Sequence, residues 1–245
     1  MTIDLQNGTV LLINKPLGWT SFDAVNKIKH SILKYQRLNA ESQNLTTQKV
    51  RLRVGHAGTL DPLATGLLIV CVGKETKNIS NYMGLEKEYT GSFFMGATRA
   101  SYDKETDINQ TFETSHINDD LIFETAKKFL GEQMQFPPAF SAIKKGGKKS
   151  YEAARKGEDL KLDARKICIH QFEITKIEMP LVFFKIVCSK GTYIRSIAND
   201  FGKALNCGAY LDSLCRTKIG DFKLNDALEM EEFEKKIPLI IKPQL

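Results

Sequence analysis

The chain of 245 residues is poor in cysteine and histidine. It has five cysteines, an odd number with no Cys-x-x-Cys pair, and four histidines at no ligand spacing. Neither a disulfide scaffold nor a zinc cluster is indicated. No apolar run approaches the length of a membrane span. The N-terminus, Met1-Thr2-Ile3-Asp4, lacks the basic and apolar regions of a signal peptide, so a cytoplasmic location is expected. There is also no Gly-x-x-x-x-Gly-Lys-Ser/Thr string, which argues against a phosphate-handling enzyme built on a glycine-rich cradle.

Hydrophobic residues make up 42% and charged residues 26%, ordinary values for a globular protein with a substantial core. The net charge of +6 and a pI near 8.9 suit an anionic partner. Lys144, Lys145, Lys148 and Lys149 bunch around Gly146-Gly147, with Arg155 and Lys156 following. This reads as a flexible basic loop suited to phosphates, although such runs also occur as plain solvated faces.

The most informative stretch runs from Gly55 to Val70: Gly-His-Ala-Gly-Thr-Leu-Asp-Pro-Leu-Ala-Thr-Gly-Leu-Leu-Ile-Val. Its glycine-rich first part carries one carboxylate, Asp61, and leads into an apolar run, Leu67 to Val72, that predicts a buried strand. A carboxylate so placed is partly desolvated, and its orientation must be set from elsewhere in the chain. Alternatively, Asp61-Pro62 simply initiates a turn. The string G-H-A-G-T-L-D-P-x-A-T-G-x-L resembles the signature of the bacterial tRNA uridine-55 pseudouridine synthases, the TruB type, and the resemblance makes Asp61 the catalytic residue.

Six further stretches continue that resemblance in the family's order. The first, Asn14-Lys15-Pro16-Leu17-Gly18-Trp19-Thr20-Ser21-Phe22-Asp23, follows a predicted strand (Thr9 to Asn14) and opens a helix with Phe22, Val25, Ile28 and Ile32 on one face. The resemblance places Lys15 near the active site; on spacing alone it is a solvated lysine. Next, Lys87 to Gly96 reads as a strand, and the resemblance sets Tyr89 against the target base. Gln135 to Lys144 and Ser150 to Gly157 repeat the family's P-P-x-x-S-A-x-K and Y-x-x-A-R-x-G. The fifth, Gly191-Thr192-Tyr193-Ile194-Arg195-Ser196, opens a helix with Ile194, Ile197, Ala198 and Phe201 inward. There the resemblance makes Arg195 the ion-pair partner of Asp61 and brings Tyr193 into contact. In the closing L-x-R-T-x-x-G block, Leu214 would pack near the base.

The resemblance implies an α/β (α+β) fold, a mixed and mostly antiparallel sheet flanked by helices with a central RNA-binding cleft. It also implies isomerisation of uridine-55 in the T arm of tRNA without a metal or other cofactor. One carboxylate then acts as nucleophile or base, and attack on C6, attack on C1′ and the glycal route all stay open. His56 could brace the gap left in the RNA loop, and stacking on Tyr89 and Tyr193 would offset part of the cost of extruding the base. Residues 1-228 are expected to form the catalytic domain, with a polar loop or helix extension at 35-52. Residues 229-245 are expected to be a short tail, without the family's usual extra RNA-binding domain. A monomer that binds tRNA, with no membrane contact, is expected. The competing class is a non-catalytic RNA-binding module with Gly55-His56-Ala57-Gly58 as a KH-type clamp, but such a clamp joins two helices, not a turn and a buried strand.

Overall fold

A computed structural model describes residues 3–5, 7–42, 52–141, 143–157 and 162–241. In chain order the first elements are β1 (Thr9–Lys15), α1 (Ser21–Ser42), β2 (Val54–His56), β3 (Ala64–Val72), α2 (Ile79–Gly84) and β4 (Lys87–Met95). There follow β5 (Ala97–Arg99), β6 (Ile108–Thr111), α3 (Asp119–Lys128), β7 (Gly131–Gln135), β8 (Lys144–Lys145), β9 (Lys148–Lys149) and α4 (Ser150–Ala154). The last are β10 (Arg165–Glu178), β11 (Leu181–Cys188), α5 (Ile194–Ala204), β12 (Ala209–Ile219), β13 (Phe222–Lys223), β14 (Leu228–Glu229) and α6 (Met230–Ile240). The chain divides into two compact units, Met1–Leu85 with Cys215–Leu245, and Glu86–Leu214.

In the first unit the strand order is β14-β1-β3-β12, with β2 on β3 and β13 on β12. β1 runs antiparallel to β3, and β14 parallel to β1. The apolar run predicted as a buried strand is β3, and it is buried on both faces. Leu68, Val70 and Val72 point into a core shared with Val25, Ile28 and Ile32 of α1 and with Phe233 and Ile237 of α6. Leu67, Ile69 and Cys71 point into a second cluster with Ala57 and Ile219. A strand covered on both sides has no solvent face to mark with polar residues, which explains its unbroken apolar sequence.

Helix α1 continues to Ser42, so the polar stretch from Tyr35 begins as helix. The fully buried residues of α1 all lie between Ser21 and Ile32, and beyond them Leu33 and Tyr35 pack partly buried against the same core. Residues 43–51 lie outside the described residues. The C-terminal segment is part of the first unit's core: Met230, Phe233 and Ile237 of α6 are buried against α1, flanked by a Lys27–Glu234 ion pair of 2.9 Å.

In the second unit β12, β4, β11, β10 and β7 follow one another, and the ladder from β4 to β7 is antiparallel. β11 alternates strictly, with Val182, Phe184, Ile186 and Cys188 buried. Phe93 and Phe184 stack at 4.3 Å, and Phe201 of α5 packs 5.6 Å from Phe93 and 5.5 Å from Phe172. This cluster seats α5 on the sheet. The basic stretch expected as a loop is a hairpin: Lys144 pairs with Lys149 and Lys145 with Lys148. Both turn glycines, Gly146 and Gly147, have positive φ, as a two-residue hairpin turn requires. Loop composition hid these strands because two paired residues on each side leave no readable alternation.

Phe233→Ala should cost about 3–5 kcal/mol of unfolding free energy in urea, the range for emptying a closed aromatic site. A change near zero would mean that α6 is not an integral part of the core.

Candidate active site

Asp61 sits in a short loop between β2 and β3. The Asp-Pro pair does initiate a turn, since Ala64 N–H donates to the Asp61 carbonyl at 3.0 Å. The preceding joint clasps that turn from outside. Ser21 Oγ accepts from Leu60 N–H at 2.8 Å, and Gly18 N–H donates to Pro62 O at 2.8 Å. At the far end Asn14 Oδ1 accepts from Gly66 N–H at 3.1 Å, while its Nδ2 donates to Glu229 Oε1 at 2.6 Å.

The base of the loop is closed by Arg216 of β12. Its side chain is only 1% exposed. Nε donates to Leu67 O at 2.8 Å, Nη2 to Gly58 O at 3.1 Å and Nη1 to Thr59 O at 3.5 Å. One guanidinium thus holds both arms of the loop that carries Asp61. Gly66 is required beneath it: its φ is +103°, and a Cβ there would lie 2.4 Å from Arg216 O.

Lys15, read from spacing as a solvated lysine, is instead fully buried. Its Nζ donates to Pro16 O at 2.9 Å and Trp19 O at 2.6 Å, folding the Lys-Pro-Leu-Gly-Trp turn around the ammonium. Burial pushes its pKa down to about 8, against the opposing pull of the Asp61 charge and with the repulsion of Arg216. His56, on β2 opposite Val70, is likewise held below its ordinary value by burial and by Arg216, which favours the neutral imidazole. The structure therefore brings Asp61, Lys15 and His56 into one charged neighbourhood, organised by an arginine to which sequence reasoning gave no role.

In the second unit, Tyr89 lies buried in β4 opposite Ile186, and Leu214 is a half-buried residue of β12. Tyr193 is the N-cap residue of α5, and Arg195 follows in the first turn. Arg195 is 4% exposed, with Nη1 donating to Phe140 O at 2.9 Å and Ser101 O at 3.3 Å, and with Nε 3.6 Å from Asp103 Oδ2. Asp103 lay in a polar stretch of mixed charge that offers no sequence signal. The side chains of Lys144, Lys145, Lys148 and Lys149 lie outside the described residues. No group of three or more metal-binding side chains occurs among the described residues, and none of their helices is long and apolar enough to cross a membrane.

Residues 43–194 match the model of the TruB family pseudouridylate synthase (N terminal domain), and residues 195–240 that of the tRNA pseudouridylate synthase B C-terminal domain. The chain belongs to the TruB family of pseudouridylate synthases. Similar relatives in the TruB family include tRNA pseudouridine synthase B of Flavobacterium johnsoniae, 55% identical over 94% of this chain and 96% of that protein. The protein of the same name from Phocaeicola vulgatus is 45% identical over 94% of each. Among solved structures, a chain of a Cbf5-Nop10-Gar1 complex superposes with a TM-score of 0.68 at 27% identity, over 94% of this chain and 54% of that one. The fold is that of the TruB-type pseudouridine synthases, as the sequence motifs implied.

Two outcomes follow from the Arg216 and Lys15 geometry. Arg216→Met leaves the buried Leu67 carbonyl and the half-buried Gly58 carbonyl without this donor and should cost roughly 1–3 kcal/mol in urea denaturation; a near-neutral change would mean that the clamp is dispensable. For Lys15, the unfolded chain holds its proton to about 10.5 and the folded one only to about 8. In that window the unfolded state binds more protons, so this group makes stability rise with pH, while below it the burial cost is felt in full. Wild type should therefore gain stability relative to Lys15→Met between about pH 8 and pH 10.5, and parallel stability curves would contradict the assignment.

Proposed function

We propose that this chain is a tRNA pseudouridine synthase acting on uridine-55 in the T arm. The observation that carries the reading is family membership along nearly the whole chain, with a relative named tRNA pseudouridine synthase B at 55% identity over 94% of this chain. In the reaction the C1′–N1 bond of uridine breaks, the uracil turns, and a C1′–C5 bond forms. C5 loses a proton and N1 gains one, so the product is an isomer.

Asp61 is the catalyst in this proposal, with Arg195 as its charge partner. A carboxylate working as nucleophile or base needs a fixed direction of approach, and the Arg216 clamp and the Ser21 clasp support that by immobilising the loop's main chain. Tyr89, Tyr193 and Leu214 take the extruded base, where stacking returns roughly 1–3 kcal/mol against the cost of flipping. Neutral His56 fills the space that the base leaves, and Lys15 braces the turn beside the catalyst. The Lys144–Lys149 hairpin holds phosphates by charge. A tRNA substrate puts the reaction in the cytoplasm, and a monomer suffices for it. The catalytic domain expected over residues 1-228 is proposed to work together with the C-terminal segment, because Met230, Phe233 and Ile237 of α6 complete the core beneath β1 and β3.

The test is tritium release from an unmodified tRNA transcript labelled at uridine C5, with no added metal or nucleotide. Wild type should release label, and Asp61→Asn should lose at least about 100-fold in rate while still retarding tRNA in a gel. Appreciable turnover by Asp61→Asn would refute the catalyst. Binding without release by wild type would favour the RNA-binding-module reading.

A further inference from the structure

Gln135, the last residue of β7, has a buried carboxamide, 4% exposed, and spends both of its polar ends on one residue. Oε1 accepts from Tyr193 N–H at 2.8 Å, and Nε2 donates to the Tyr193 carbonyl at 3.0 Å. A side-chain amide here copies the two-bond exchange of an antiparallel strand pair, across a gap where β7 has ended. The same carbonyl takes the first helical bond of α5, from Ile197 N–H at 3.2 Å. Tyr193 makes no side-chain capping bond of its own at this helix start. Without Gln135, its half-buried N–H would lose its partner at the point where the chain turns from extended to helical.

The neighbouring contacts grip the same short segment. Arg165, paired with Gln135 across β10 and β7, lays its guanidinium 4.9 Å from the centre of the Tyr193 ring. Ser196 Oγ donates to Phe136 O at 2.8 Å, and Arg195 Nη1 donates to Phe140 O at 2.9 Å. Residues Gln135 to Phe140 thus hold Tyr193, Arg195 and Ser196 in one frame, and the chain continues from that frame into the basic hairpin at Lys144–Lys149.

We infer that Gln135 is a positioning residue: its two hydrogen bonds to the Tyr193 peptide set the start of α5, and so the direction in which Tyr193 and Arg195 meet the substrate. The inference rests on the synthase reading above and adds a residue to it. Gln135 touches no reacting atom in this account, so its loss acts on turnover through the geometry of its neighbours. The misplacement is felt in the transition state more than in RNA binding.

The experiment measures kcat and KM for tritium release by wild type, Gln135→Leu and Gln135→Glu, with thermal unfolding alongside. Gln135→Leu should lose about tenfold or more in kcat with KM within about twofold of wild type. Gln135→Glu separates positioning from packing. As a carboxylate it accepts from Tyr193 N–H but repels the carbonyl, whereas as a carboxylic acid it repeats both amide bonds. Burial raises the pKa of such a group and neighbouring guanidinium charge lowers it, so the two variants are compared at a fixed pH of about 8.5, near the ionised form with one of the two bonds kept. At that pH Gln135→Glu should lose several-fold in kcat, with KM within about twofold of wild type. An unimpaired Gln135→Leu beside an active wild type overturns the inference alone, and so does a wild-type kcat for Gln135→Glu, which also decides the matter if Gln135→Leu does not fold. If wild type itself releases no label, the synthase reading fails and the inference falls with it.

Discussion

The Arg216 guanidinium, buried against three main-chain carbonyls, is the contact on which the Asp61 loop depends. Removing a cation from water costs several kcal/mol unless its N–H groups find acceptors, and here the acceptors are the arms of the loop itself. The requirement works in both directions: the arginine is tolerable only if the loop folds around it, and the buried Leu67 carbonyl has this side-chain donor only if the arginine is there. Gly66 follows from the same constraint, since a side chain at that position would strike the Arg216 backbone. So does the electrostatic character of the neighbourhood, where Arg216 helps to hold Lys15 and His56 below their ordinary pKa values.

The start of α5 is supported by the same kind of device. Arg195 is nearly buried, with two carbonyls and one carboxylate around it, and Tyr193 is held at its main chain by a side-chain amide. In both units buried polar side chains do the holding, while the aromatic cluster around Phe201 and the two-sided core of β3 keep the framework from yielding. Apolar packing alone is not directional, and hydrogen bonds to named carbonyls are. Such an arrangement suits a reaction in which no atoms are exchanged with a second substrate and the catalytic group must approach one sugar–base bond from a set side.

Much of this was legible in the sequence. The apolar run after Gly66, the helix start after Gly191 and the inward face Ile194, Ile197, Ala198 and Phe201 all appear where periodicity places them. The motif strings led to the family that the relatives establish. Two readings from spacing or composition did not hold: Lys15 is buried, and the lysine cluster is a hairpin. A lysine beside a proline looks solvated because nothing local shows that the carbonyls of Pro16 and Trp19 turn back on it. Gln135, Ser21 and Arg216 stood in plain view inside or beside the quoted motifs, but hydrogen-bonding capacity in a sequence does not reveal its partner.

What the sequence by itself determined is the family and the elements whose apolar periodicity is strong, because these depend on residue type and local spacing. Only the tertiary structure decided which cations are buried, which carbonyls they satisfy and how the C-terminal helix completes the first unit's core. These last are contacts between residues far apart in the chain, such as Arg216 with Leu67, 149 positions earlier. Their energies come from burial that no local window of sequence contains.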